Sequence, residues 1–170
     1  MSEPLLRLPV GVVVERRKAA TAWIDHVWQP VAVLSGAPAA EPWTELASEP
    51  DCLRIYAGPA EVALHAGDAP NYHDNLVSGA PALWVVLRPT GGTPPFTIVT
   101  VTADPSEGEA MTAAGDDLVE AVAMPASIVE HLAAFVAEHH VDRTVFRRQR
   151  DRADPEALGR RGRSVRDDEE

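Results

Sequence analysis

The sequence has one cysteine, one lysine and no long apolar run, and each shortage excludes a class of protein. Cys52 is the only cysteine among 170 residues, which excludes an internal disulfide and any zinc or iron–sulfur site held by cysteines alone. Lys18 is the only lysine and follows no glycine-rich loop, so the chain has no phosphate-binding P-loop. The uncharged residues 89–103 are too few to cross a membrane. Because residues 1–9 lack a basic segment followed by an apolar stretch, we expect no signal peptide and a cytoplasmic location.

Charge is divided unevenly along the chain. Residues 1–142 contain 6 basic and 19 acidic residues, a formal charge of −13, whereas residues 143–170 contain 9 basic and 7 acidic residues, or +2. We therefore predict a β-rich globular domain over residues 1–142 and an arginine-rich, partly disordered tail over residues 143–170. The acidic body would repel nucleic acid and anionic lipid, so we expect neither as a partner.

The whole chain contains 15 proline and 11 glycine residues. Those in the body divide it into short segments in which the side chains alternate in polarity. This spacing is typical of an all-β domain. The stretch 57–60 contains Gly58 and Pro59 and predicts the turn of a hairpin, while residues 37–50 and 66–81 read as long loops. The predicted strands cover residues 10–14, 31–34, 53–56, 61–65, 83–88, 96–102 and 118–124.

One helix is well specified after these strands. Ser127 and Glu130 have the spacing of a capping box. A second helix is predicted over residues 107–114, between the helix-breaking residues Pro105 and Gly115. An apolar stripe follows the capping box and consists of Ile128, Leu132, Phe135, Val136 and His139.

These elements predict a mainly β (α+β) fold. We expect a small antiparallel barrel or sandwich of about seven strands with a C-terminal capping helix. The same order of elements is also that of a pleckstrin-homology-like barrel, which is an analogy of architecture and carries no function.

The densest group of potentially reactive side chains lies in residues 71–75, where Tyr72, His73 and Asp74 are adjacent. A histidine beside an aspartate can serve acid–base catalysis. The alternative is an ordinary polar loop whose side chains bond the local backbone, and this interpretation is favoured because neighbouring residues point in different directions. No set of residues has recognised metal-ligand spacing, so the sequence predicts no catalytic residue, no metal and no cofactor.

Two further groups are candidates for binding a partner. Trp23 and Trp28 flank a predicted loop, and tryptophan is over-represented at interface hot spots, although packing is the alternative role. In the tail, arginines can dock on carboxylates or phosphates, with a solvated extension as the alternative. The tail candidates are Arg147, Arg148, Arg150 and Arg152.

Several runs of the chain resemble an uncharacterised proteobacterial family, the domain of unknown function 3305. The resemblance covers nearly the whole chain and implies a genomic context, since members are commonly encoded beside formate dehydrogenase and some carry the label molybdopterin-guanine dinucleotide biosynthesis protein A. It supplies no catalytic residues. The matching runs are residues 9–17 (PVGVVVERR), 28–36 (WQPVAVLSG), 75–88 (NLVSGAPALWVVLR), 101–111 (VTADPSEGEAM) and 146–163.

Together these observations predict a non-catalytic accessory or assembly protein. Its expected partner is a protein, namely a molybdenum- or tungsten-dependent formate dehydrogenase or its maturation machinery. The alternative is an enzyme or carrier that handles the molybdopterin guanine dinucleotide cofactor. That alternative requires a deep pocket lined by basic groups.

Overall fold

The computed structural model describes residues 2–141, which form seven β-strands and three α-helices. The residues predicted as an arginine-rich tail, including Arg147, Arg148, Arg150 and Arg152, lie outside the described residues. In chain order the elements are β1 (Leu6–Lys18), β2 (His26–Ser35), β3 (Thr44–Glu49), β4 (Cys52–Leu64), α1 (Ala69–Val77), β5 (Ala82–Pro89), β6 (Phe96–Thr102), α2 (Pro105–Thr112), β7 (Leu118–Ala123) and α3 (Ala126–His139).

The strands form two antiparallel sheets that pack face to face. The first sheet has the order β2-β1-β4-β3 and the second has the order β6-β5-β7. Their inner faces share one apolar core, in which Val12, Leu64 and Leu83 are completely buried. The predicted mainly β sandwich is confirmed. The alternative of a closed barrel is wrong, because no hydrogen-bonded ladder within residues 2–141 joins the edges of the two sheets.

The predicted hairpin at residues 57–60 is wrong, because β4 runs through it as one strand of 13 residues. Both halves of β4 pair with β1: Val12 is opposite Gly58 and Val13 is opposite Tyr56, so Ala57 is an extra residue in the ladder. A β-bulge of this kind absorbs one residue without reversing the chain. Gly58 has φ = 138°, a conformation that favours glycine. The glycine therefore marks a bulge.

Both predicted long loops contain regular structure. Residues 37–50 include β3, whose six residues are all exposed, so no buried apolar alternation marks it in the sequence. Residues 66–81 include α1, whose buried positions are Ala69, Tyr72 and Asn75. Because one of those positions is a polar asparagine, the helical period is not visible as an apolar stripe.

The predicted C-terminal helix is confirmed, and Ile128, Leu132, Phe135 and Val136 are its buried residues. The capping box is wrong. The helix begins at Ala126, two residues before the start that a Ser127 cap requires, and it has no side-chain cap. The Ser127 hydroxyl instead lies 2.5 Å from the Ser35 hydroxyl at the end of β2.

Helices α1 and α3 pack together at one end of the sandwich, where the Tyr72 and Phe135 rings meet with centroids 6.0 Å apart. The opposite end carries the turn between β1 and β2. Helix α2, the second predicted helix, is confirmed and lies on Trp84 of β5. None of the helices in the described part of the chain has the length and hydropathy that a bilayer crossing requires.

Candidate functional site

The turn between β1 and β2 is the most exposed apolar feature of the described residues. Trp23 is 94% exposed and Ile24 is 57% exposed. The turn is closed by a backbone hydrogen bond in which the Ala19 N–H donates to the Asp25 carbonyl at 3.1 Å. Trp23 was predicted to flank a loop, and it lies within this turn, where its side chain is open to solvent.

Val27 extends this apolar surface onto the outer face of the first sheet. It is 49% exposed and lies opposite Arg17 in the β1–β2 ladder, so the two side chains share a face. We call Trp23, Ile24 and Val27 the apolar tip.

Trp28 is not part of the apolar tip, although it was predicted as an equivalent candidate. It lies within β2, one residue beyond Val27, and therefore faces the opposite side of the sheet. Its ring packs edge-on against Trp43 and Phe96, with centroids 6.2 and 5.6 Å away. The Arg16 guanidinium carbon lies 5.8 Å from the centre of the Trp28 ring. Trp28 thus closes the edge of the core.

The predicted polar loop is a turn and a half of α1, in which His73 and Asp74 are in contact and Tyr72 is buried apart from them. Tyr72 is buried; its hydroxyl accepts a hydrogen bond from the His65 backbone N–H at 3.2 Å, and burial raises the pKa of Tyr72 to about 12. His73 stacks on His140, with ring centroids 4.6 Å apart. The Asp74 side chain is 79% exposed and lies 3.6 Å from the His73 ring nitrogen.

No group of three or more histidine, cysteine, aspartate or glutamate residues within positions 2–141 has an arrangement that could hold a metal ion. The chemistry that the structure does bring together is a charge cluster around one buried carboxylate. It consists of one carboxylate and two guanidinium groups, and sequence reasoning missed it.

The charge cluster is formed by Glu15, Arg17 and Arg54. Glu15 lies opposite Arg54 in the β1–β4 ladder, and Arg17 follows two residues later on the same face of β1. Arg54 donates to Glu15 Oε1 from Nη2 at 2.6 Å and from Nε at 3.3 Å. Arg17 donates to Oε2 from Nε at 2.9 Å, with its Nη2 at 2.8 Å. Glu15 is only 4% exposed. Each of its carboxylate oxygens accepts hydrogen bonds from an arginine, and these bonds compensate for the lost contact with water.

These hydrogen bonds fix the ionisation of Glu15. The hydrogen bond from Arg54 and then that from Arg17 lower the pKa of Glu15 below its ordinary value of 4.5, against the opposing effect of burial. Glu15 is therefore the charged centre that keeps the two guanidinium groups side by side.

Acid is expected to weaken the fold through this cluster. Because the folded-state pKa of Glu15 is lowered from 4.5, the ionised carboxylate adds stability above that pH, and this contribution is lost as the pH falls through the lower folded-state value. Glu15→Gln should reduce the free energy of unfolding by about 2 kcal/mol at neutral pH. Urea unfolding of both proteins between pH 7 and pH 3 measures whether the difference shrinks in acid.

Glu61→Gln is the matched control, since the Glu61–Arg7 pair is exposed on both sides, at 55% each. Its effect should stay below about 0.5 kcal/mol at every pH. A Glu15→Gln difference that is constant from pH 7 to pH 3 would contradict the assigned role of the charge.

Beside this cluster lies a small cavity of about 50 Å³. Arg17 of β1 and Arg54 of β4 line it. The cavity is completed by Glu15, Ala47, Glu49 and Cys52.

Two open antiparallel sheets, with helices at one end and an exposed apolar turn at the other, define a mainly β sandwich. The family model described as "Protein of unknown function (DUF3305)" matches residues 9–150, and the chain therefore belongs to this family. The resemblance seen in the sequence is confirmed. No curated protein and no solved structure matches the chain.

Proposed function

We propose that this chain is a non-catalytic accessory or assembly protein and that it binds another protein through the apolar tip. The exposure of Trp23, at 94%, carries the proposal. Covering a tryptophan and its apolar neighbour removes a large apolar area from water, and such residues dominate the binding energy of many interfaces. The ladder between β1 and β2 holds the turn in place, which lowers the entropy lost on binding.

The charges around the tip favour a protein surface as the partner. Lys18 and His26 lie beside it together with Asp25 and Glu49, so the rim contains both signs. An apolar centre with a mixed polar rim is the usual anatomy of a protein interface. Anionic lipid and nucleic acid select surfaces of net positive charge, whereas residues 1–142 carry −13.

We further propose that the partner belongs to the formate dehydrogenase system, as the enzyme or as part of its maturation machinery. The support is membership of the DUF3305 family together with the genomic context that the resemblance implies. The acidic body would steer association toward a partner with a basic surface.

The alternative function, handling of the molybdopterin guanine dinucleotide cofactor, has one groove in its favour. This groove has a volume of about 270 Å³ and is lined by Arg16, Lys18 and His26. Its other charged groups are Glu45, Glu49 and Asp51, which oppose a phosphate in the same place.

The proposal is tested by comparing how much of the partner co-purifies with the native protein and with a variant of the apolar tip. Trp23→Ser combined with Ile24→Ser should reduce co-purification with formate dehydrogenase by tenfold or more, since a hot-spot residue contributes about 2 kcal/mol or more. Val77→Ser on α1 is the matched control, because Val77 is 65% exposed and lies on another element. Equal recovery of the dehydrogenase with both variants would refute the proposal.

Calorimetry with GTP distinguishes the alternative function, cofactor handling, from the proposed protein binding. The proposed binding protein should give no heat with GTP, whereas saturable heat that is lost in Arg16→Ala would support cofactor handling.

A further inference from the structure

The buried Glu15 orients two arginines toward the same small cavity. All bonds from these guanidinium groups to Glu15 use Nε and Nη2. Among residues 2–141 no hydrogen bond or ion pair engages Nη1 of Arg17 or of Arg54. Each side chain is also more than half exposed, at 60% and 52%. The unused donors therefore belong to guanidinium groups that Glu15 holds in place and that are partly open to solvent.

The cavity matches the head of a carboxylate in size, and two arginines line it. Its volume of about 50 Å³ is several times the 10–15 Å³ or so that one water molecule requires. The two guanidinium groups are balanced by the carboxylates of Glu15 and Glu49, so the ionised lining has no net charge and suits a monoanion better than a phosphate dianion. Glu49 also lines the cavity but makes no hydrogen bond or ion pair to either arginine among the described residues.

We propose that Arg17 and Arg54 form a carboxylate-binding site, and that its natural occupant is an aspartate or glutamate side chain of the protein seated on the apolar tip. The site is continuous with the tip, since Arg17 lies opposite Val27 and shares its face. Paired guanidinium donors recognise a carboxylate through parallel hydrogen bonds. The identity of the occupant rests on the proposed function, whereas binding of a carboxylate does not.

Acetate tests the site in the full-length protein without any partner. Titration followed by the NMR signals of the arginine Nε–H groups should give saturable shifts at Arg17 and Arg54. Arg54→Lys should weaken acetate binding about tenfold, because lysine keeps the charge but cannot offer two parallel donors. Glu49→Gln should strengthen binding about threefold by removing a nearby like charge. Arg7→Lys, in an exposed pair with Glu61, is the control and should change nothing.

Absence of saturable shifts, or equal effects of Arg54→Lys and Arg7→Lys in proteins with unchanged melting temperatures, would overturn the site. The same variants test whether the partner protein supplies the carboxylate, with capture of formate dehydrogenase as the measurement. Arg54→Lys should reduce capture of formate dehydrogenase about tenfold while the tip is intact, and unchanged capture would make a free small carboxylate the occupant.

The two proposals fail separately. Acetate binding with no effect of the tip variant on capture would retain the carboxylate site and reject the proposed function. Loss of capture in the tip variant without acetate binding would retain the proposed function and reject the carboxylate site.

Discussion

Replacement of Gly108 by alanine should destabilise the fold by about 3 kcal/mol, the upper part of the usual range for overpacking. Gly108 lies in α2, where its backbone rests directly on the indole of Trp84 in β5. A Cβ atom there would stand 2.2 to 2.6 Å from three atoms of the indole, much closer than carbon atoms approach each other. Either the helix or the indole must move, and the packing of α2 on the second sheet is lost with that movement.

Thermal unfolding measures the effect. Gly108→Ala should lower the melting temperature by about 10 °C, given a shift of a few degrees per kcal/mol for a chain of this size. Gly67→Ala is the matched control, because a Cβ at Gly67 has no neighbour within 4 Å. Trp84→Leu in the Gly108→Ala background should recover part of the loss, since a smaller side chain leaves room for the methyl group. Equal melting temperatures for the two glycine variants would contradict the close contact.

Replacement of Asn75 by alanine should cost about 4 kcal/mol, because three backbone groups, one buried and two half-buried, lose their partner and each unsatisfied buried group costs about 1–3 kcal/mol. Asn75 Nδ2 donates to the carbonyls of Ala82 and Ala103, both at 2.8 Å, and Oδ1 accepts from the Ala82 N–H at 3.0 Å. The side chain is 3% exposed. This asparagine therefore joins α1 to the start of β5 and to the end of β6.

Urea unfolding checks this prediction, with Asn71→Ala as the graded control. Asn71 is on the same helix and makes one side-chain hydrogen bond, to Asp104 at 3.0 Å, in a half-buried position. We expect it to cost about 1 kcal/mol. A loss at Asn75 no larger than the loss at Asn71 would show that water replaces the three bonds.

Strands with an alternating row of apolar residues were readable from the sequence, although β1 and β5 also bury residues of their other face. Val10, Val12 and Val14 alternate with residues of the other face and are completely buried, and β5 and β6 show the same period of two. The stripe of α3 was equally clear. The failures have physical causes: β3 buries no residue, α1 buries Asn75 in place of an apolar side chain, and Gly58 occupies a bulge.

The site was readable only in part. The exposure of Trp23 follows from its position between two strands. The packing role of Trp28 could not be predicted in this way, because the face of the sheet on which its side chain lies depends on the register of β2 against β1. The Glu15–Arg54 contact joins residues 39 positions apart, and only the pairing of β1 with β4 brings them together. Long-range pairings of this kind leave no local signal in the chain.

The division of the chain between the sheets has a consequence during synthesis. The first sheet uses residues 6–64 and the second uses residues 82–123. At a translation rate of roughly 5–20 residues per second, the ribosome needs roughly 3–12 s to add the second sheet after the first. Throughout that interval the nascent first sheet presents Val12 and Ile55 to water without a cover. Ribosome-associated chaperones are the expected safeguard against aggregation of the half-made protein.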